Sequence, residues 1–412
     1  MASGLLSVLI PLFIVENLRG TLLDVGVITA GFNLATIPSV ILWGMLSDKV
    51  DKRKIFIAAS FLLTSITLVP LAFTKSILEF LILSVIQAFV FTMHEPATNM
   101  LMVELNKREK WDEKIGLYQT VSGVGWSVGL ILGAVGVAVY NFSQLMLLSA
   151  GLYLATCIAS IFLVHDPKVS FDREEISVKR ARLGMTERAR FHYRWIHRPP
   201  NFLGLLQKMA CGMNSDLGLF NLGVFIFLLS ATIVFTAFPI FFLTEVGLGP
   251  MLIFGIFFFN SLVSTVSYSW VGVMAERYGD KRFVQIASLS RIILFPLLIF
   301  CTILPSNGAI LSAIILLGLI GLSWALFNVS STTLSLQLVP KTKVGESSGI
   351  YYASTGLGSV LGSFLGGLLP FILWQSQQGI YIFFAAAGIL FIFPLYIFSR
   401  LKVSATSQHS KL

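Results

Sequence analysis

Charge is scarce in this chain. Of 412 residues only 12% are Asp, Glu, Lys or Arg, against 56% hydrophobic, and the mean hydropathy is +0.84. A soluble domain needs far more charged surface to stay in water, so that class is excluded. Cysteine is nearly absent too. Cys157, Cys211 and Cys301 are an odd set with no paired spacing, so neither a disulfide framework nor a Cys/His metal site follows from them. They read as small apolar core residues. There is no Walker-type phosphate loop, no dinucleotide fingerprint and no metal-ligand cluster, so no cofactor, no metal and no ATP-driven pumping are expected. No nucleophile–base pair is visible, which argues against an enzyme. The short alternating segments of a membrane β-barrel are missing as well.

Apolar runs fill the space that charge leaves. Runs of about 20 residues cross a hydrocarbon core as helices, because in lipid each backbone N–H and C=O must be paired within its own segment. Twelve spans are expected near residues 2–16, 22–46, 55–74, 77–103, 115–140, 143–164, 218–243, 250–275, 283–304, 307–338, 348–373 and 378–400. The fold class is therefore all-α and polytopic. Its organisation is a six-helix bundle over 1–165, a central loop over 166–217, a second bundle over 218–401 and a tail over 402–412.

The Lys and Arg residues orient the chain. If the segment from Asp48 to Lys54 is cytoplasmic, every one of the 29 falls on the cytoplasmic side except Arg19, Lys75 and Arg291. This positive-inside bias places both termini in the cytoplasm of a multi-pass plasma-membrane protein. It also accounts for the net charge of +9 without nucleic acid, since the basic residues meet anionic headgroups. In the central loop, Lys179, Arg180, Arg182, Arg188, Arg190, Arg194 and Arg198 alternate with Ile176, Leu183, Phe191 and Trp195, the pattern of helices lying on the membrane surface.

The halves repeat. A shift of 228 residues lays Pro11, Phe13, Gly44 and Asp48 on Pro239, Phe241, Gly272 and Glu276. A shift of 233 lays Gly116, Tyr118, Gly123, Gly125, Gly129 and Gly133 on Gly349, Tyr351, Gly356, Gly358, Gly362 and Gly366. Both halves start on the same side, so the repeats are parallel, an architecture of secondary transporters with the solute path between the bundles. The first helix is short beside its partner near Leu217, and the expectation is that the natural start lies ten to twenty residues upstream of Met1.

The loop Gly44-Met45-Leu46-Ser47-Asp48-Lys49-Val50-Asp51-Lys52-Arg53-Lys54 recurs as Gly272-Val273-Met274-Ala275-Glu276-Arg277-Tyr278-Gly279-Asp280-Lys281-Arg282. Both copies resemble the signature cytoplasmic loop of the major facilitator superfamily, and the resemblance covers the whole chain. Asp51 departs from the pattern where a second glycine is usual, and Glu276 stands for Asp. The resemblance implies that Asp48 faces the start of the eleventh helix near Gly345 to Gly349, with Glu276 facing Lys114 to Gly116. A carboxylate is stabilised at a helix N-terminus, so Gly44, Asp48, Arg53, Gly272, Glu276, Arg277 and Arg282 are assigned to gating. The glycines at 125, 129, 133 and at 358, 362, 366 line one helix face each, suited to close packing. The resemblance suggests that these faces meet the opposite bundle. Trp126 stands where drug–proton antiporters of the family usually carry proline, so the glycines set no transport direction.

Ionised groups at the bilayer centre cost about 2.5–3.5 kcal/mol on insertion scales, so each needs a reason. Gln87, Phe91, His94 and Thr98 share a face of the fourth helix, with Glu95 about 100° round. The repeat sets Glu95 over Asn328, beside Trp324 and Ser331. In the family, helices one, four, seven and ten line the cavity, making Gln87, His94, Glu95, Trp324 and Asn328 candidates for solute and proton binding. A His–Glu pair in a cavity can exchange protons near neutral pH, whereas a Glu paired with a basic loop residue only anchors. Arg291 is the one basic residue deep in a span. It either attracts an anionic solute, pairs with a buried acid or, as ninth helices are usually peripheral, snorkels to the headgroups. The expected function is alternating-access secondary transport of a small solute by a monomer, proton-coupled, with efflux ahead of uptake. Uptake of an anion, sugar or metabolite, and a non-transporting receptor, are the rivals.

Overall fold

A computed structural model describes residues 1–50, 52–105, 111–166, 215–338 and 344–402. The surface helices expected in the central loop and the tail beyond residue 402 lie outside the described residues. Among the described residues all regular structure is α-helix. We number the spans α1 (Ala2–Glu16), α2 (Leu22–Val50), α3 (Arg53–Leu71), α4 (Ile77–Phe91, resuming as His94–Leu105), α5 (Trp111–Gly136), α6 (Phe142–Leu163), α7 (Asp216–Thr244), α8 (Pro250–Tyr278), α9 (Asp280–Leu297, then Phe300–Ile303), α10 (Ser306–Gln337), α11 (Val344–Leu373) and α12 (Gln377–Leu390, then Ile392–Arg400). Eleven are long and apolar enough to cross a membrane, and α1, with 15 residues, is shorter. Their outward faces carry exposed Ile66, Phe73, Val139, Leu163, Val266 and Leu311. Apolar exposure on this scale suits hydrocarbon, not water.

The breaks have local causes. Pro96 has no N–H to give to the Thr92 carbonyl one turn back, so α4 cannot continue through it. Glu95 N–H turns to Thr92 O instead (3.2 Å), which strips Phe91 O of its helical partner. Ser60 Oγ on α3 donates to Val90 O (2.9 Å) and Phe91 O (2.8 Å), and the His94 ring nitrogen Nδ1 also bonds to Phe91 O. Freed carbonyls inside a membrane need such substitutes. Pro296 in α9 and Pro394 in α12 accompany similar interruptions. Lys281 Nζ donates to the carbonyls of Ser399 (3.0 Å) and Leu401 (2.6 Å), closing the end of α12.

Within the first half α1 packs on α5 and α6, and α3 on α4 and α6; within the second, α7 packs on α11, and α10 on α8 and α9. Between the halves, α2 lies along α11 and α5 along α8. These two lines of contact match one another at equivalent positions along α2 and α8. Gly26 meets Gly367, and its repeat mate Phe254 meets Gly133. Asn33 Nδ2 donates to Ser363 Oγ (3.0 Å), and its mate Ser261 shares a hydrogen bond with Ser127 Oγ (2.8 Å). Ile37 packs on Gly356, and its mate Thr265 packs on Gly123. Each line runs about 17 Å along its helix, in the part of the molecule away from the two signature loops. Nearer those loops the same helices expose Leu42, Leu46, Tyr118, Trp270, Val273 and Tyr352.

The glycine series corrects one expectation. Gly358, Gly362 and Gly366 lie against backbone of Phe225, Leu229 and Ile233 on α7, and Gly125 and Gly129 lie against Met1 and Leu5 at the start of α1. These faces therefore bind the first helix of their own half. Only Gly133 of the six meets the other half. The four-residue spacing selects one face of a helix but not the neighbour that covers it, and α1 and α7 are that neighbour here.

Candidate functional site

The signature loops come first. Arg53 is buried at the start of α3 and donates through Nη1 to Ser47 Oγ (2.6 Å), tying the loop to the end of α2. Arg277 stacks its guanidinium 5.9 Å from the Tyr278 ring, and Arg282 is exposed. A methyl group added at Gly44 would sit 3.6 Å from Pro96 Cβ, an ordinary contact, and one at Gly272 would meet nothing. Close helix approach therefore does not require either glycine in this conformation. The side chains of Asp48 and Glu276, and those of the helix starts they are expected to face, lie outside the described residues.

The α4 face divides at the break. Above it, Gln87 is buried with Oε1 unpaired. Below it, the His94 ring sits between Phe61 (5.1 Å) and Phe91 (4.7 Å), toward α3 and α6. Because Nδ1 meets a carbonyl, it must donate, and its partner is the Phe91 oxygen orphaned by Pro96. Glu95 points elsewhere. Glu95 is an exposed residue, and its charge acts on Tyr118 of α5 and Tyr352 of α11, one from each half. The His94 ring and the Glu95 carboxylate thus point to different sides of α4. We expect His94→Ala to lower thermal stability by about 1 kcal/mol, the worth of one hydrogen bond, and to leave the pH dependence of transport unmoved. A displaced pH profile with an unaltered melting point would reverse that assignment.

In the second half, Trp324 and Asn328 on α10 are half-buried and share a partner that the sequence did not advertise. The Tyr268 hydroxyl on α8 is within side-chain hydrogen-bonding reach of Asn328, Trp324 and Ser264. Tyr268 has no counterpart in the motifs, and its only signal was position on a helix that flanks the interface. Arg291 departs furthest from expectation. It does not snorkel: its side chain is 0% exposed and turns inward between α7, α10 and α12. Ring-lined space on those helices outcompetes the headgroups, because aromatic faces attract a desolvated guanidinium.

Glu95 on α4 and the Tyr268–Trp324–Asn328 group on α8 and α10 are thus the candidate polar groups of the two halves. Among the described residues no group of His, Cys, Asp and Glu is placed to hold a metal.

Comparisons with known proteins agree with this fold. The family model described as Major Facilitator Superfamily matches residues 1–345 and 221–411. An uncharacterized MFS-type transporter of Methanocaldococcus jannaschii is 21% identical over 361 residues, covering 87% of this chain and 85% of that protein. A crystal structure of a mutant nucleoside transporter NupG superposes with a TM-score of 0.74 at 16% identity, covering 96% of each chain. A bacterial homolog of the human lysosomal transporter Spinster, inward-facing and occupied, gives 0.73 at 11% identity over 99% of this chain and 94% of that one. A D-xylose–proton symporter gives 0.70 at 15% identity over 97% and 95%. At such identities the likeness to solved structures is one of fold.

Proposed function

The chain belongs to the major facilitator superfamily and is a multi-pass membrane transporter of the secondary kind, and from that premise we propose that it carries a small amphipathic solute by alternating access, coupled to protons through Glu95. One observation carries the reading. Among the described residues, the contacts between halves include two matched lines in the part away from the signature loops, while Glu95 is exposed nearer the loops and its charge acts on Tyr118 and Tyr352 of opposite halves. Matched lines of this kind let the halves hinge as units. With the loops in the cytoplasm of a plasma-membrane protein, as the Lys and Arg distribution favours, this conformation is open inward.

Reopening outward needs the mirrored contacts to part and the loop ends to close. Asp48 and Glu276 would then latch the inner side against helix N-termini, where a carboxylate is favoured by about 0.3–1 kcal/mol. The aromatic lining around Trp324 and Tyr268 suits amphipathic compounds and favours efflux. A D-xylose–proton symporter has the same fold, and uptake driven by protons is the second reading. Reconstitution into liposomes with an imposed pH gradient and a panel of labelled solutes tests both. Gradient-driven flux of any panel member supports transport and its direction decides between efflux and uptake; saturable binding without flux would convert the protein into a receptor.

A further inference from the structure

We propose that Arg291 is the anchor of a carboxylate-binding site in the second half, closed in this conformation by Trp324. The inference rests on the solute site described above and names the chemical class it takes.

Arg291 lies eleven residues along α9 from Asp280, about 17 Å from that end of the helix and so near the middle of a hydrocarbon core of about 30 Å. Nε donates to Ser323 Oγ (3.2 Å), and Ser323 passes its own proton to Ala287 O (3.1 Å), which fixes the hydroxyl as an acceptor. Nη1 and Nη2 are buried with no hydrogen-bond acceptor. In place of an acid, five rings surround Cζ: Phe227 at 4.6 Å, Phe391 at 5.5 Å, Trp324 at 5.7 Å, Phe295 at 5.9 Å and Phe235 at 6.0 Å.

Rings attract the positive charge but accept no conventional hydrogen bonds from the guanidinium fork. Each unmet buried donor costs about 1–3 kcal/mol. A guanidinium is shaped for two parallel bonds to a planar oxyanion, and the edge carrying Nη1 and Nη2 is the one left free.

The cage also has a door. Phe227, Phe295 and Phe391 are fully buried, whereas Trp324 and Phe235 are only half-buried and belong to α10 and α7. The Tyr268 hydroxyl lies within hydrogen-bonding reach of Trp324, and also of Asn328 and Ser264. Rotating the indole would open a route from these polar groups to the guanidinium and leave ring faces to receive an apolar body.

Charge selects among oxyanions. One guanidinium balances one negative charge, so a carboxylate leaves the site neutral, while a phosphate monoester would leave an excess negative charge in a low-dielectric setting. The ligand class is therefore a monocarboxylate with an aromatic or apolar body.

The test is binding to the full-length protein in nanodiscs of zwitterionic lipid, read by calorimetry and by ligand-induced shift of the melting point. Probes are phenylacetate, its neutral amide and phenyl phosphate. Phenylacetate should bind at least tenfold tighter than either of the others. Arg291→Lys, which keeps charge but not the fork, should weaken it about tenfold, and Arg291→Met should abolish the preference. Should Arg291→Met fail to fold, the wild-type comparison of acid with amide and the Lys variant decide. Equal binding of acid and amide, or an undiminished preference in Arg291→Lys, overturns the proposal. So does loss of the preference when phosphatidylglycerol replaces the zwitterionic lipid, which would assign the site to a headgroup. No gradient is present in this assay. A retained acid preference in a protein that moves nothing across liposomes leaves this site standing and removes the transport reading, and flux of neutral solutes without the preference does the reverse.

Discussion

Glu95→Gln should abolish solute accumulation driven by a pH gradient while sparing solute–solute exchange. The substitution keeps the shape of the protonated side chain and removes its ability to release a proton. With one proton coupled per solute, a gradient of one pH unit is worth about 1.4 kcal/mol and sustains about a tenfold solute gradient. In the variant that ratio should fall to one. Exchange needs the rocking motion but no net proton movement, so its rate should stay within a few-fold of the unmodified protein. Glu95 is the better choice than His94, since its charge acts on Tyr118 and Tyr352 of opposite halves while the imidazole is committed to the Phe91 carbonyl. A variant that still accumulates solute tenfold would remove Glu95 from the coupling path.

Gly367→Val should force open the end of the molecule that is closed here. A Cβ at residue 367 would lie 2.6 Å from Leu22 O and 2.7 Å from Gly26 Cα. Both obstacles are backbone, and neither can rotate away. Overpacking of this kind costs about 1–3 kcal/mol, which shifts a two-state equilibrium roughly 5- to 150-fold. Spin labels at Tyr140 and Ser376, in loops of opposite halves at that end, should report a longer distance. Gly151→Val on α6 is the matched control, because a Cβ there meets nothing. An unchanged distance distribution in the valine variant would mean that the α2–α11 contact does not set the conformational balance.

Much of the fold was readable because lipid imposes one rule on every segment. Apolar length marked the spans, and eleven of the helices meet the requirement outright. Four-residue spacing, glycine identity and basic-residue counts are all one-dimensional signals, and they revealed what repeats along the chain. They did not reveal which surface faces which. The spacing of Gly358, Gly362 and Gly366 points to close packing but not to its partner, which is α7 and not the opposite half. His94 and Glu95 were read as a pair on a continuous helix. They sit on one helical segment, His94–Leu105, as neighbours about 100° apart, and the carbonyl of Phe91 freed by Pro96 holds the His94 ring on its own side. Arg291 was weighed as a headgroup-seeking residue because the chain order put it on an outer helix, yet an inward rotamer into a ring-lined space decided its environment. Tyr268 carries no sequence signal, because a single tyrosine on an apolar helix has no pattern.

The paired lines of contact along α2–α11 and α5–α8 carry a mechanical implication. A fastening on one flank alone would leave the two bodies free to swivel about it like a page on a single ring. Fastenings at equivalent heights on both flanks remove that freedom and leave one permitted movement, a tilt about the axis joining them. Damage to either flank should therefore degrade the directionality of the movement as well as its speed.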